Sequence, residues 1–167
     1  MYFDGSLMKE GAGVGLVFVS PLGVRMEYMV QLHFPASNNV AEYEALLNGL
    51  RIALELGIRR LEVRGDSELV VDPVMKEKNC LNPKMAAYYR AVRELEDKFY
   101  GLELNHILRR YNEAADTLTK ATSNWKPVSN GVFTSDQYAS SVCLDDEQPI
   151  EPATRRSWGS TKRQSLT

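Results

Sequence analysis

The sequence predicts an α/β fold: one five-stranded mixed sheet, an antiparallel meander joined to parallel strands, with helices on both faces. Three observations carry that expectation. Strand-like apolar runs come first, separated only by short turns. Helical and strand periodicities then alternate as far as residue 122. Finally, 44% hydrophobic and 25% charged residues in a chain of 167 are the proportions of a globular domain.

The elements follow in order. Met1-Tyr2-Phe3-Asp4 reads as the end of a first strand whose opening half is missing, as in a fragment or behind a start codon inside a longer reading frame. Gly5-Ser6 then reads as a turn. Gly13 to Val19 is a short β-branched run closed by Ser20-Pro21-Leu22-Gly23, a turn signal. From Arg25 to Phe34 the apolar residues Met26, Tyr28, Val30, Leu32 and Phe34 keep a period of two. Ser37-Asn38-Asn39 supplies capping oxygens ahead of Ala41, Ala45, Leu46, Leu50, Ala53 and Leu54 at helical spacing, and Gly57 closes that helix. Arg60 to Gly65 is a fourth strand. A second helix is expected from Ser67 and a third from Pro83 to Phe99. Leu102 to Leu108 is a fifth strand, and Asn112 caps a last helix reaching Ala121.

Beyond residue 122 the composition shifts to Ser, Thr, Pro, Asn and Asp, with scattered aromatics. Such a segment buries too little apolar surface to offset its ordering entropy. The expectation is therefore a domain over residues 1–122 and a disordered linker or tail over 123–167. No apolar run reaches the ~20 residues of a membrane span, and no charged start leads into an apolar stretch like that of a signal peptide. An intracellular protein is expected, with Cys80 and Cys143 as thiols rather than a disulfide framework. The net charge of −2 gives no global attraction to a polyanion. A nucleic-acid ligand would need local patches and metal ions to overcome repulsion.

Four carboxylates stand out. Asp4 and Asp66 each follow an apolar strand, and Asp116 lies in the first turns of the last helix. Each alone has a bland explanation, because Asp accepts backbone N–H bonds at strand ends and helix starts. Glu42 is different. It shares a helix face with Ala45, Leu46, Gly49, Leu50 and Ala53, where an unpaired ionised carboxylate is costly. Glu44 points away and reads as an ordinary solvated residue. If the first and fourth strands are neighbours, Asp4 and Asp66 end side by side, and the helix can bring Glu42 to the same point. Clustered carboxylates repel, and divalent cations make such a cluster tenable. Without His or Cys the cluster selects hard ions, Mg²⁺ or Mn²⁺, and two such ions serve in-line phosphoryl displacement.

At this point the residues resemble a known family. Tyr2-Phe3-Asp4-Gly5-Ser6, Asn38-Asn39 with Ala41-Glu42-Tyr43-Glu44-Ala45-Leu46, Gly65-Asp66-Ser67 and Asn112-Glu113-Ala114-Ala115-Asp116 resemble the four motifs of type 1 ribonuclease H. The likeness is greatest to the ribonuclease H domains of plant Ty3/gypsy-type LTR retrotransposon polyproteins, and it covers residues 1–122. It implies a ribonuclease H-like fold and hydrolysis of the RNA strand of RNA–DNA hybrids, leaving a 3′-hydroxyl and a 5′-phosphate. It implies Asp4, Glu42, Asp66 and Asp116 as catalytic ligands of two Mg²⁺ ions, with Mn²⁺ as a substitute. Substrate contacts are implied at Gly5, Ser6, Ser37, Asn38, Asn39 and Arg109. Implied partners are the hybrid and the reverse transcriptase and integrase regions of the same polyprotein.

His106 and His33 fall within strands and read as structural. Lys76, Lys78 and Lys84 are too few for the basic helical handle of some relatives. Pro73 sits about six residues into the expected second helix, where it removes a backbone bond at a cost of about 3 kcal/mol. Pro73 and the missing strand start also fit an alternative, a catalytically inactive ribonuclease H-like module that binds nucleic acid or a partner. A doubly wound nucleotide-binding domain is poorly supported, because Gly11-Ala12-Gly13-Val14-Gly15 leads into a strand and not a helix.

Overall fold

The computed structural model describes residues 1–8, 11–67, 70, 83–123 and 131–143. The elements are β1 (Tyr2–Met8), β2 (Gly11–Val19), β3 (Arg25–Leu32), α1 (Asn38–Glu55), β4 (Arg60–Gly65), α2 (Pro83–Glu96), β5 (Gly101–His106), a 3₁₀ turn (Arg109–Tyr111), α3 (Glu113–Ser123) and β6 (Val132–Gln137). They form one mixed sheet in the order β5-β4-β1-β2-β3-β6. The meander β1-β2-β3 is antiparallel, while β4 runs parallel to β1, β5 to β4 and β6 to β3.

Period-two alternation divides the core between two faces. Phe3, Val14, Leu16 and Val30 pack with Leu46 and Leu50 of α1 and with Tyr88 and Val92 of α2. Val17 and Met29 point the other way, onto Ala115 and Leu118 of α3. Helices therefore cover both faces, as the pattern predicted.

Several expectations are corrected. The first strand does not end at Asp4: β1 continues through Gly5-Ser6 to Met8, paired with β2 from Tyr2↔Val17 to Met8↔Gly11. Glycine and serine stay extended there because the partner strand satisfies their backbone. The sheet has six strands rather than five. Residues 131–143, expected in a disordered tail, contribute β6, which pairs with β3 from Glu27↔Val132 to Leu32↔Gln137. Local composition could not anticipate a strand whose backbone partners come from an edge formed about a hundred residues earlier. The second helix is described only at Val70, and Pro73, Cys80, Lys76 and Lys78 lie outside the described residues.

Helix α1 begins as predicted. Ser37 is its N-cap, and the Ser37 hydroxyl accepts the backbone N–H of Val40 at 3.2 Å. Gly57 follows the helix at φ +82°, a left-handed conformation that glycine adopts without strain. The burial of α1 is wider than one stripe, since every residue from Val40 to Leu47 is buried. The sheet covers one side and α2 another, with the Tyr43 and Tyr88 rings stacked at 5.3 Å. Glu44, expected in solvent, is fully buried, because residues 137–141 close over it.

Candidate active site

The parallel register of β1 and β4 ends at the pairs Tyr2↔Arg64 and Phe3↔Gly65. The next residues on the two strands are Asp4 and Asp66, so the sheet itself sets them side by side. Glu42 arrives from α1. A Cβ at Gly5 would collide with the carbonyl of Ala41, so only glycine lets α1 lie this close to β1. At that approach Gly5 donates its backbone N–H to Glu42 Oε1 at 2.8 Å. Carboxylate oxygens of Asp4, Glu42 and Asp66 thereby lie within 4.8 Å of one another.

The cluster is buried as well as crowded. Asp4 is 5% and Glu42 7% exposed. Burial pushes the Asp4 carboxyl up to about 7, and the charges of Asp66 and Asp116 add to the rise while Arg109 opposes it. Burial followed by the charge of Asp4 pushes Glu42 up to about 10, against the Gly5 N–H. Glu42 Oε2 and Asp66 Oδ2 are buried without a hydrogen-bond partner. Arg109 approaches Asp66 Oδ2 only at 3.7 Å, so acceptor capacity is left among like charges, and an all-carboxylate donor set suits a hard divalent cation. The residues fit Mg²⁺ or Mn²⁺.

Asp116 comes from the opposite face of the sheet. A Cβ at Gly15 would strike the Ala115 carbonyl and Leu118, so glycine again permits close packing, here of α3 on β2. Thr119 donates its hydroxyl to Gly13 O at 2.7 Å, and Asn112 donates its side-chain amide to Phe3 O at 2.9 Å. Asn112 therefore ties the start of α3 to β1 next to Asp4, and its Oδ1, expected to cap the helix, accepts no hydrogen bond. Asp116 lines the same cleft as the three clustered carboxylates without belonging to their group. Its Oδ2 pairs with Lys120 Nζ at 2.9 Å, one helical turn on.

The cleft has a volume of about 340 Å³. Of the remaining expected residues, Gly5, Ser6, Asn38, Asn39 and Arg109 line it. Arg109, with its side chain 81% exposed, reaches Asp66 Oδ2 at 3.7 Å through Nε. Ser37 lies outside the lining, its hydroxyl engaged in the cap. Ser67 and Lys120 line the cleft and were missed. Lys120 had a signal, since a lysine four residues after Asp116 shares its helix face. Neither His33 nor His106 lines the cleft. The run Gly11 to Gly15 lies inside β2, which removes the glycine-loop reading.

The profile of the reverse transcriptase-like family matches residues 2–122. Ribonuclease HI of Halobacterium salinarum is 34% identical over 119 residues, covering 70% of this chain and 60% of that protein. The aligned region also spans 56% of an uncharacterised Bacillus subtilis relative, so the chain corresponds to little more than half of these curated relatives. Among solved structures, RNase H1 of the same Halobacterium superposes with a TM-score of 0.66 at 32% identity, covering 74% of this chain and 95% of that one. LC11-RNase H1, isolated from compost and solved in complex with an RNA/DNA hybrid, gives 0.63 at 26% identity with the same coverage. The chain belongs to the reverse transcriptase-like family and carries the ribonuclease H fold.

Proposed function

We propose that the chain is a metal-dependent endonuclease that hydrolyses the RNA strand of RNA–DNA hybrids. The observation that carries this reading is the buried group Asp4, Glu42 and Asp66, with two oxygens that accept no hydrogen bond, at the floor of an open polar cleft. The relatives named ribonuclease HI and RNase H1 support the same activity.

Asp4, Glu42, Asp66 and Asp116 would hold two Mg²⁺ ions, with Mn²⁺ as a substitute, and such ions would supply the charge that lowers the pKa of an attacking water and stabilises a leaving oxygen. The chain's own residues position the hybrid. Asn38 and Asn39 open α1, where amide side chains and the positive end of the helix meet phosphate and 2′-hydroxyl groups. The Gly5 N–H is committed to Glu42, so polar contact from β1 falls to the Ser6 hydroxyl, held 3.3 Å from Thr119 Oγ1. Arg109 and Lys120 bring positive charge to a cleft that otherwise repels a polyanion.

The reading extends to origin and partners. The motif resemblance to plant Ty3/gypsy-type polyproteins supports a retroelement-derived domain that works beside reverse transcriptase and integrase regions. The test is a labelled RNA–DNA hybrid with Mg²⁺, beside an Asp66→Asn control. RNA-strand cleavage that falls by about 10²–10³-fold or more in the control is the expected result. A folded wild-type chain that binds the hybrid without cutting it would instead establish an inactive binding module.

A further inference from the structure

Glu44 sits two residues from Glu42 on α1 and is fully buried, yet it takes no part in the cleft. Its carboxylate accepts four hydrogen bonds. One comes from the Tyr88 hydroxyl at 2.6 Å. The other three come from residues 137–141: Gln137 Nε2 at 2.9 Å, the Ser141 N–H at 2.8 Å and the Ser141 hydroxyl at 2.5 Å. A buried carboxylate is tolerable only when it is hydrogen-bonded this fully, so most of the polar environment of Glu44 is supplied by one short piece of chain. That piece lies outside the 2–122 region matched by the family profile.

The same piece also holds the other side of the β3–α1 connection. Beyond the last β3–β6 pair, His33 donates its backbone N–H to Gln137 O at 2.8 Å. The His33 ring meets Asp136 Oδ1 at 2.8 Å and stacks on Tyr138 with centroids 4.6 Å apart. Asn48 on α1 donates to Gln137 Oε1 at 2.9 Å. Residues 136–141 thus grip the chain at His33 before the connection and at Glu44 and Asn48 after it. Between those two grips lie Asn38 and Asn39, which line the cleft.

We propose that residues 131–143 act as a built-in strap that fixes the hybrid-contacting start of α1, with Glu44, Gln137 and Ser141 as positioning residues for substrate binding. The inference rests on the hybrid-nuclease reading above. The strap touches none of the three clustered carboxylates, so releasing it weakens hybrid binding and leaves the chemical step in place. Because β6 pairs along β3 independently of the Glu44 contacts, the strap can loosen at its 137–141 end while the sheet stays formed.

Gln137→Glu in the full chain tests this, because it sets a second carboxylate against Glu44 with almost no change in shape. Three experiments are run: steady-state kinetics of hybrid cleavage in Mg²⁺ for kcat and KM, fluorescence anisotropy of a labelled hybrid for the dissociation constant, and hydrogen exchange of the 132–141 amides. KM and the dissociation constant should rise about tenfold, with kcat within about twofold and exchange at 137–141 accelerated. Adding Glu44→Gln to Gln137→Glu restores a donor–acceptor pair and should return all three towards wild type. Tyr138→Ala removes only an exposed ring from the His33 stack, cannot prevent folding, and should raise KM about threefold. Accelerated exchange with unchanged KM in Gln137→Glu, or a Tyr138→Ala variant identical to wild type, overturns the strap while the nuclease reading stands. A wild-type chain that neither binds nor cleaves the hybrid overturns both.

Discussion

Gly5 donates its backbone N–H to Glu42 Oε1 across the contact between β1 and α1. One hydrogen bond thus joins the first strand, which carries Asp4, to the first helix, which carries the second carboxylate. It exists because Gly5 has no side chain: the space a Cβ would need is filled by the Ala41 carbonyl. A packing requirement and the carboxylate cluster meet at a single glycine.

Gly5→Ala should therefore act on both. Overpacking against helix backbone costs about 1–3 kcal/mol, since neither main chain can yield without moving the elements behind it. The displaced helix carries Glu42 away from Asp4, so cleavage should fall together with the ability of Mg²⁺ to raise the melting temperature. Thermal melts with and without Mg²⁺ check this. An alanine variant that keeps the full Mg²⁺-induced rise would show that the β1–α1 contact does not set the site.

The metal-free chain should lose stability as pH rises. The folded-state carboxyls of Asp4 and Glu42 are raised by burial to about 7 and about 10, whereas in the unfolded chain they titrate near the ordinary 4–4.5. Between those values the folded state binds more protons than the unfolded one, so the slope of stability against pH is negative. Their stabilising contribution is complete below about pH 4. That of Asp4 is lost on the way to about pH 7, and that of Glu42 declines towards about pH 10. In EDTA the melting temperature should be lower at pH 8 than at pH 5. Mg²⁺ should raise it more at pH 8, where Asp4 is already ionised and only the Glu42 proton still competes with metal binding. Equal melting temperatures at the two pH values in EDTA would mean that the two carboxyls are not buried together.

Much of this arrangement was legible in the chain because it is written in local periods. Period-two runs placed β2 and β3, helical spacing placed α1, and a carboxylate directly after the apolar run at Phe3-Asp4 and at Gly65-Asp66 anticipated their meeting, although β1 runs on past Asp4. The failures came where long-range contacts decide. Glu44 read as solvated because one apolar stripe was assumed, whereas the sheet, α2 and residues 137–141 surround that part of α1. β6 was invisible because its sequence has little core to bury and borrows its order from the β3 edge. Asn112 does precede the last helix and its carbonyl accepts the Asp116 N–H, but its side chain is turned to Phe3 O, so no capping bond comes from its Oδ1.

Arg109 and Lys120 should govern affinity rather than chemistry. Both line the cleft through well-exposed side chains; the Lys120–Asp116 pair lies near the surface, and Arg109 reaches the buried Asp66 only at 3.7 Å, so either pair contributes little to stability. Arg109→Ala and Lys120→Ala should each leave the melting temperature nearly unchanged while raising KM for the hybrid several-fold. Each should also reduce the slope of log affinity against log salt by about one unit, as expected of a lost phosphate contact. A KM effect with an unaltered salt slope would assign these residues to shaping the cleft instead.

Ser37 separates a cap from a contact. Its hydroxyl accepts from the Val40 N–H and it lies outside the cleft lining, one residue before Asn38. Ser37→Ala should cost about 1 kcal/mol, the usual loss for an N-cap, and lower the melting temperature by roughly 2–4 °C. KM should rise with it, because the first turn of α1 frays at Asn38 and Asn39, which line the cleft and are the proposed hybrid contacts. Ser37→Asn restores a capping oxygen with a different shape, so it should recover both stability and KM. If the asparagine variant regains its melting temperature while KM stays high, the Ser37 hydroxyl itself touches the substrate.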